Sequence, residues 1–306
     1  MTIQSAEYIR PRSEYPSPSR TFLRVSSQPI SDVDSFRFAA MSTFLCKRNA
    51  FAVFTLVALL GSFAFVLRAA RSRASNAASV SRVSPIPKTV LWAWERPTDL
   101  SFIDPLEVGV AVLVRTIHLG GDDVTVRPRL QSLSVPEAVK VIAVTRVEAD
   151  PSNKPTLSHS QTERLAAAIS EIATLPNVSA VQVDYDATKS EREFYRNLIL
   201  ELRQRLPDRV GLSITALASW CTDDDWISDL PIDEAVPMLF RMGPDGQQIT
   251  RRIVSGDEFS AKPCRTSYGI STDEPLKDLS TDRRLYVFNP QSWTEEAVRK
   301  ILESRK

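Results

Sequence analysis

Eight short apolar runs, spread over residues 89–306 and separated mostly by helical or loop-like stretches, constrain this chain more than any other feature. They cover residues 89–94, 108–117, 139–147, 178–186, 210–218, 235–242, 266–272 and 285–289. Each is rich in Val, Ile, Leu or aromatic residues and bounded by turn formers, the pattern of a strand. Strands that alternate with helices pair in parallel, and eight such units close on themselves. The expected fold is therefore a (β/α)8 TIM-type barrel. A doubly wound open sheet is the rival, but it advertises a glycine-rich first turn. The chain has nine glycines and no G-x-G-x-x-G.

Helical spacing of apolar residues, at i, i+3 and i+4, predicts helices over residues 160–173, 190–206 and 294–304, with a weaker one over 247–254. Ser190 ahead of Glu191 and Glu193, and Ser292 and Thr294 ahead of Glu295 and Glu296, place hydroxyls and acids where unpaired helix N–H groups lie. Residues 100–106, 223–230 and 275–279 leave room for only one or two turns, so several barrel units are expected to be abbreviated. Between the second and third strands, residues 124–126 and 130–133 read as an inserted hairpin or extended excursion, because Pro128 breaks any helix.

The N-terminal part is organised differently. Residues 1–48 are rich in Ser, Pro and Arg, and are expected to form a disordered tail. Residues 49–67 contain no charge over 19 positions, just long enough at about 1.5 Å per residue to cross a bilayer core. This segment reads as a single membrane-anchor helix, a cleaved signal peptide being the alternative. Residues 68–88 read as a linker to a barrel domain over residues 89–306, and Met41 offers a second possible start. An uncleaved anchor would hold the barrel outside the cytoplasm, in a periplasmic or extracellular setting.

Charge excludes some functions. The formal net charge of +1 hides a barrel region with 26 Lys/Arg against 33 Asp/Glu. Such a surface lacks the clustered cations that displace counterions from nucleic acid, so no nucleic-acid role is expected. With two histidines, His118 and His159, and no G-x-S-x-G elbow, a Ser-His-Asp triad is disfavoured. Neither a metal nor another cofactor is called for. Cys221 and Cys264 lack C-x-x-C spacing and fall near strand ends, which leaves open a disulfide or two free thiols.

The run at 178–186 carries the most chemistry. Period-two alternation puts Val181, Val183 and Tyr185 on one face and Gln182, Asp184 and Asp186 on the other. Two acids at one strand end suit glycoside hydrolysis, in which one carboxylic acid protonates the leaving oxygen and a second carboxylate attacks or activates water. Asp186 is the expected acid and Asp184 its neighbour. Glu148, Glu95 or Asp273, each just beyond another strand, would supply the second carboxylate. The plainer alternative is that Asp184 pairs with Arg146 or Arg241 in the barrel mouth. Trp92, Trp94, Trp220 and Trp293 fall at or beyond strand ends, where flat rings stack on sugars; Trp92 and Trp220 are the leading candidates. Arg146 and Arg241 are expected to orient the acids or hold an anionic sugar.

Taken together, Leu91-Trp-Ala-Trp-Glu-Arg-Pro97, Gln182-Val-Asp-Tyr-Asp-Ala187, Leu212-Ser-Ile-Thr-Ala-Leu-Ala-Ser-Trp-Cys221, Asp233-Glu-Ala-Val-Pro-Met-Leu-Phe-Arg-Met-Gly243 and Ser271-Thr-Asp-Glu-Pro275 resemble the uncharacterised bacterial domain-of-unknown-function family 3142. The resemblance runs from about Val90 to the C-terminus and implies a glycosidase-like barrel without an established activity. A looser likeness is to chitinase-like glycosidases, whose fourth strand ends D-x-D-x-E. It implies that Asp184 matches the assisting Asp and Asp186 the acid. Here the terminal Glu is an Asp, and Val181-Gln182 replaces the leading acidic part. The expected function is a membrane-tethered glycoside hydrolase-like barrel acting on an envelope or extracellular polysaccharide. A non-catalytic carbohydrate-binding or envelope scaffold barrel is the alternative.

Overall fold

The computed structural model describes residues 81–244 and 246–305. Eight parallel strands form its centre, in the spatial order β1 (Thr89–Ala93), β3 (Val108–Gly120), β6 (Val141–Ala149), β7 (Val178–Asp184), β8 (Gly211–Leu217), β9 (Glu234–Met238), β10 (Ser267–Ser271) and β11 (Arg284–Phe288). Pairing of β11 with β1 and of β1 with β3 closes the ring, so the eight barrel strands leave no open edge between them. The expected barrel is thus the observed one, each strand within a few residues of its apolar run.

The excursion after the second barrel strand is a hairpin. Strand β3 runs beyond the barrel to Gly120 and turns through Gly121, at φ 52°, into the antiparallel β4 (Asp123–Pro128). The short β2 (Thr98–Asp99) and β5 (Leu133–Ser134) pair separately beside it.

Alternation divides the apolar residues into two cores. Leu91, Val110, Ala143, Val181, Leu212 and Ile214 face outward beneath the helices. Val90, Ala111, Leu113, Ile142, Val144, Ala180, Val236 and Tyr286 face inward. A hydrogen bond between strands that are not neighbours shows the inward direction. Trp92 Nε1 donates to Gln182 Oε1 at 3.0 Å, and Gln182 Nε2 donates to Ser213 Oγ at 3.0 Å, linking β1, β7 and β8 through the interior.

Helices cover only part of the ring. Among the described residues they are α1 (His159–Ser170), α2 (Arg192–Arg205), the short α3 (Ala218–Thr222), α4 (Gly246–Val254) and α5 (Glu295–Glu303). Ser158 and Thr294 cap α1 and α5 through their side chains. Residues 100–106 and 223–230 form turns, and residues 275–279 an irregular loop, rather than helices.

The linker reading needs correction at its C-terminal end. Val83 and Ile86 are buried against the inward-facing cluster, and Arg284 donates to the carbonyls of Val83, Ile86 and Pro87. Residues 83–87 therefore plug the barrel floor. The expected tail, the anchor at 49–67 and most of the linker lie outside the described residues. Among the described residues no helix is long and apolar enough to cross a membrane.

Candidate active site

The C-terminal ends of β6 and β7 open into a cleft of about 710 Å3, whose lining includes Arg146, Glu148, Asp150, Lys154, Asp184, Tyr185, Asp186 and Glu191. This is the rim at which barrels gather side chains from distant positions. Strand pairing sets Arg146 opposite Asp184, so two of the expected residues meet because their strands are in register.

Asp184 is the last residue of β7, and only 15% of its side-chain surface is exposed. Its Oδ1 accepts the Thr215 hydroxyl of β8 at 2.6 Å, while Arg146 Nη1 stands 3.9 Å from Oδ2. Burial pushes the Asp184 carboxyl above the usual carboxylate range; the Thr215 hydrogen bond opposes this, Asp186 adds to it, Arg146 opposes it and Glu148 adds to it. A carboxyl so placed holds its proton to higher pH than an ordinary Asp.

Glu148 is held from two sides. Arg146 Nε donates to its Oε1 at 2.7 Å, and His118 Nδ1 lies 3.3 Å from Oε2. One guanidinium reaches toward both acids, its Nε bonded to Glu148 and its Nη1 3.9 Å from Asp184. Asp186, two residues beyond the end of β7, is exposed and makes no hydrogen bond or ion pair among the described residues.

Other expected residues lie elsewhere. Glu95 is exposed near Thr116, Arg115, Arg127 and Arg129 around a small cavity of about 50 Å3. Asp273 accepts a hydrogen bond from Ser271 beyond β10. Arg241 has φ 51°, donates its backbone N–H to Glu274 Oε2 at 2.9 Å and lies 5.4 Å over the ring of Phe288. None of the three lines the cleft.

The two leading tryptophans are core residues. Trp92 is 3% exposed within the barrel, below the mouth. Trp220 is also 3% exposed, packed 5.1 Å from Trp226 and 6.5 Å from Tyr195. Its displacement has a local cause: β8 ends at Leu217 and α3 starts at Ala218, turning Trp220 toward the helical layer. Trp293 is tied by its indole N–H to the Trp92 carbonyl. Trp94 is half-buried at the mouth, as is Trp293, and stands edge-on to Phe288, which stacks on Phe240 at 5.7 Å. Phe240 and Phe288 had no sequence signal beyond ending apolar runs, and Thr215 was visible only as one polar residue in a strand.

Cys221 and Cys264 are joined in a disulfide, with Cα atoms 5.8 Å apart. Among the described residues, no group of three or more His, Cys, Asp or Glu is placed to hold a metal ion.

No family model and no curated protein matches the chain. The expected membership of domain-of-unknown-function family 3142 thus finds no support, while the barrel it implied is present. Among solved structures, the chain is similar to the chitinase domain of the spore coat protein CotE from Clostridium difficile, at 14% identity and a TM-score of 0.33. The match covers 56% of this chain and 55% of that one, so the chain spans about half the length of its structural neighbour.

Proposed function

We propose that the barrel hydrolyses a glycan of the cell envelope or extracellular space at the β6–β7 cleft. The observation that carries this reading is the grouping there of an exposed Asp186 without a partner among the described residues, an Asp184 whose carboxyl burial pushes above the usual range, and a Glu148 held by the same Arg146 that faces Asp184. In this reading Asp186 delivers a proton to the leaving oxygen, Asp184 holds a reserve proton beside it, and Glu148 attacks the sugar or activates a water. Arg146 and His118 fix the direction of the Glu148 carboxylate.

The same contacts favour a second reading. A Glu148 held by both Arg146 and His118 is partly neutralised, as suits a carbohydrate-binding or envelope scaffold barrel without turnover. The Cys221–Cys264 disulfide supports a periplasmic or extracellular setting under either reading. Tethering to a membrane would fall to residues 49–67, and their sequence alone supports it.

The test is to incubate the purified domain with a panel of polysaccharides, alongside Asp184→Asn and Asp186→Asn. Asp186→Asn is expected to lose at least about 100-fold in turnover while keeping its folding transition, since general acid catalysis contributes about 10²–10⁴-fold and an exposed side chain contributes little to stability. Unchanged turnover in that variant sinks the catalytic assignment. Binding without turnover in the parent protein selects the second reading.

A further inference from the structure

Thr215 carries no charge, yet among the described residues it is the one side chain that hydrogen-bonds Asp184. It stands on the inward face of β8 with Ser213, one residue on from the Val183–Ile214 pair of β7 and β8, and is 4% exposed. Its hydroxyl donates to Asp184 Oδ1 at 2.6 Å and has no other acceptor among the described residues. A buried hydroxyl left without an acceptor costs free energy, so this hydrogen stays directed at Oδ1. The carbonyl oxygen of a carboxylic acid is its better acceptor, so the proton of Asp184 is left to Oδ2. That oxygen lies 3.9 Å from Arg146 Nη1.

The other groups around Asp184 do not share this task. They are Arg146 and Glu148 of β6 and Asp186 just beyond β7, with the Tyr195 phenol of α2 also within electrostatic reach and His118 of β3 beyond Glu148. Arg146 is committed through Nε to Glu148. Burial favours the neutral acid at Asp184, and the Thr215 bond opposes it, because a hydroxyl binds a carboxylate more strongly than it binds the acid.

We propose that Thr215 is the positioning residue of the acid pair, its hydroxyl holding Asp184 Oδ1 as an acceptor so that the exchangeable proton rides on Oδ2 and can leave it. The inference rests on the hydrolytic reading, in which Asp186 gives its proton to the leaving oxygen. The O–H bond at Asp184 Oδ2 then breaks and a new one forms at the Asp186 carboxylate. The negative charge left on Asp184 is met by the Thr215 hydroxyl on one oxygen and by Arg146 on the other. Without the hydroxyl, burial would hold the proton on Asp184 and the reserve could not be drawn on.

Thermal melts of the full chain between pH 4 and pH 9 test it, with Thr215→Val, Thr215→Ser, and Thr215→Val combined with Asp184→Asn. A folded carboxyl held above its unfolded value loses stability as pH rises, and removing the donor enlarges that loss. Thr215→Val is expected to lose at least about 3 °C more than the parent across this range. Thr215→Ser keeps the donor and should follow the parent, while in the combined variant the extra loss should vanish. If the valine variant does not fold, Thr215→Ala removes the same donor without the added branch and is read in its place. In polysaccharide turnover, kcat of Thr215→Val should fall at least about tenfold with KM within about twofold of the parent, since the bond is made to an enzyme acid and not to substrate. A pH dependence equal to the parent's, or an extra loss that persists beside Asp184→Asn, overturns the inference, as does an unchanged kcat in a variant whose melts have shifted. Shifted melts in a protein that turns over no polysaccharide keep the proton assignment and overturn the hydrolytic reading alone.

Discussion

Asp184 shows how much one residue's surroundings decide. Because burial raises its folded pKa above the unfolded value, the folded chain binds the proton more tightly, and stability falls as pH rises through that interval. The contribution is fully present below about pH 3.9, the unfolded carboxylate value, and becomes a penalty above the folded pKa. Asp184→Asn removes the penalty and keeps an acceptor for the Thr215 hydroxyl. The variant is expected to melt higher than the parent at pH 7, with the gain shrinking toward pH 4, as thermal melts across that range would show. A gain independent of pH would mean that Asp184 is not the titrating group. The strand-end position of this acid was legible from period-two alternation, and so were those of Arg146 and Glu148. The fate of Trp92 was not, because alternation tells which face a side chain takes but not how far below the rim it sits. Gln182 accepts the Trp92 indole N–H inside the barrel, a pairing between strands that are not neighbours and that no local pattern encodes.

At the scale of an element, the N-terminus of α2 sets the wall of the cleft. The sequence pointed to Ser190 as the cap, but a single 3₁₀ turn over residues 189–191 precedes the helix, and the capping box is formed by Thr188 and Glu191. Helical periodicity located α2 to within two residues; the extra turn depends on where β7 leaves the barrel, which periodicity does not report. The box fixes Glu191 in the cleft as well as starting the helix. Thr188→Ala is therefore expected to cost about 1 kcal/mol in denaturant unfolding, the usual value of an N-cap hydroxyl. An unchanged unfolding midpoint would show that the start of α2 does not depend on this cap. The placement of Trp220 failed for a related reason, since a strand reading carried through Ala218 missed the helix that begins there.

For the whole molecule, barrel closure was the most legible property, because eight strands that each bury both faces have few other ways to satisfy their edges. What closes the floor was hidden. Glu234 is fully buried and receives Arg284 Nη1 at 2.5 Å and the Tyr286 hydroxyl at 2.6 Å, while Arg284 also reaches the carbonyls of the 83–87 segment. A Pro-rich stretch that reads as a linker folds under the barrel because a buried guanidinium needs those acceptors. Arg284→Met strands a buried carboxylate and is expected to cost about 3–5 kcal/mol in unfolding free energy. Arg284→Met combined with Glu234→Gln should recover part of that loss; no recovery would assign the cost to the carbonyl contacts instead.

The disulfide works at the same scale but by a different means. It joins α3 to the turn before β10 across 43 positions, a span that contains all of β9 and α4. Closing a loop of that size restricts the unfolded chain, and the expected contribution is about 2–4 kcal/mol. Both sulfurs are buried, so reduction requires this span to open first. Cys264→Ser should therefore lower the denaturation midpoint and expose α4 to protease. Mild reductant should leave the folded parent protein unchanged until denaturant is added, as alkylation of the thiols followed by mass measurement would report. Thiols that alkylate in the native protein without reductant would show that the two cysteines are unpaired, and would remove the main structural support for an oxidising compartment.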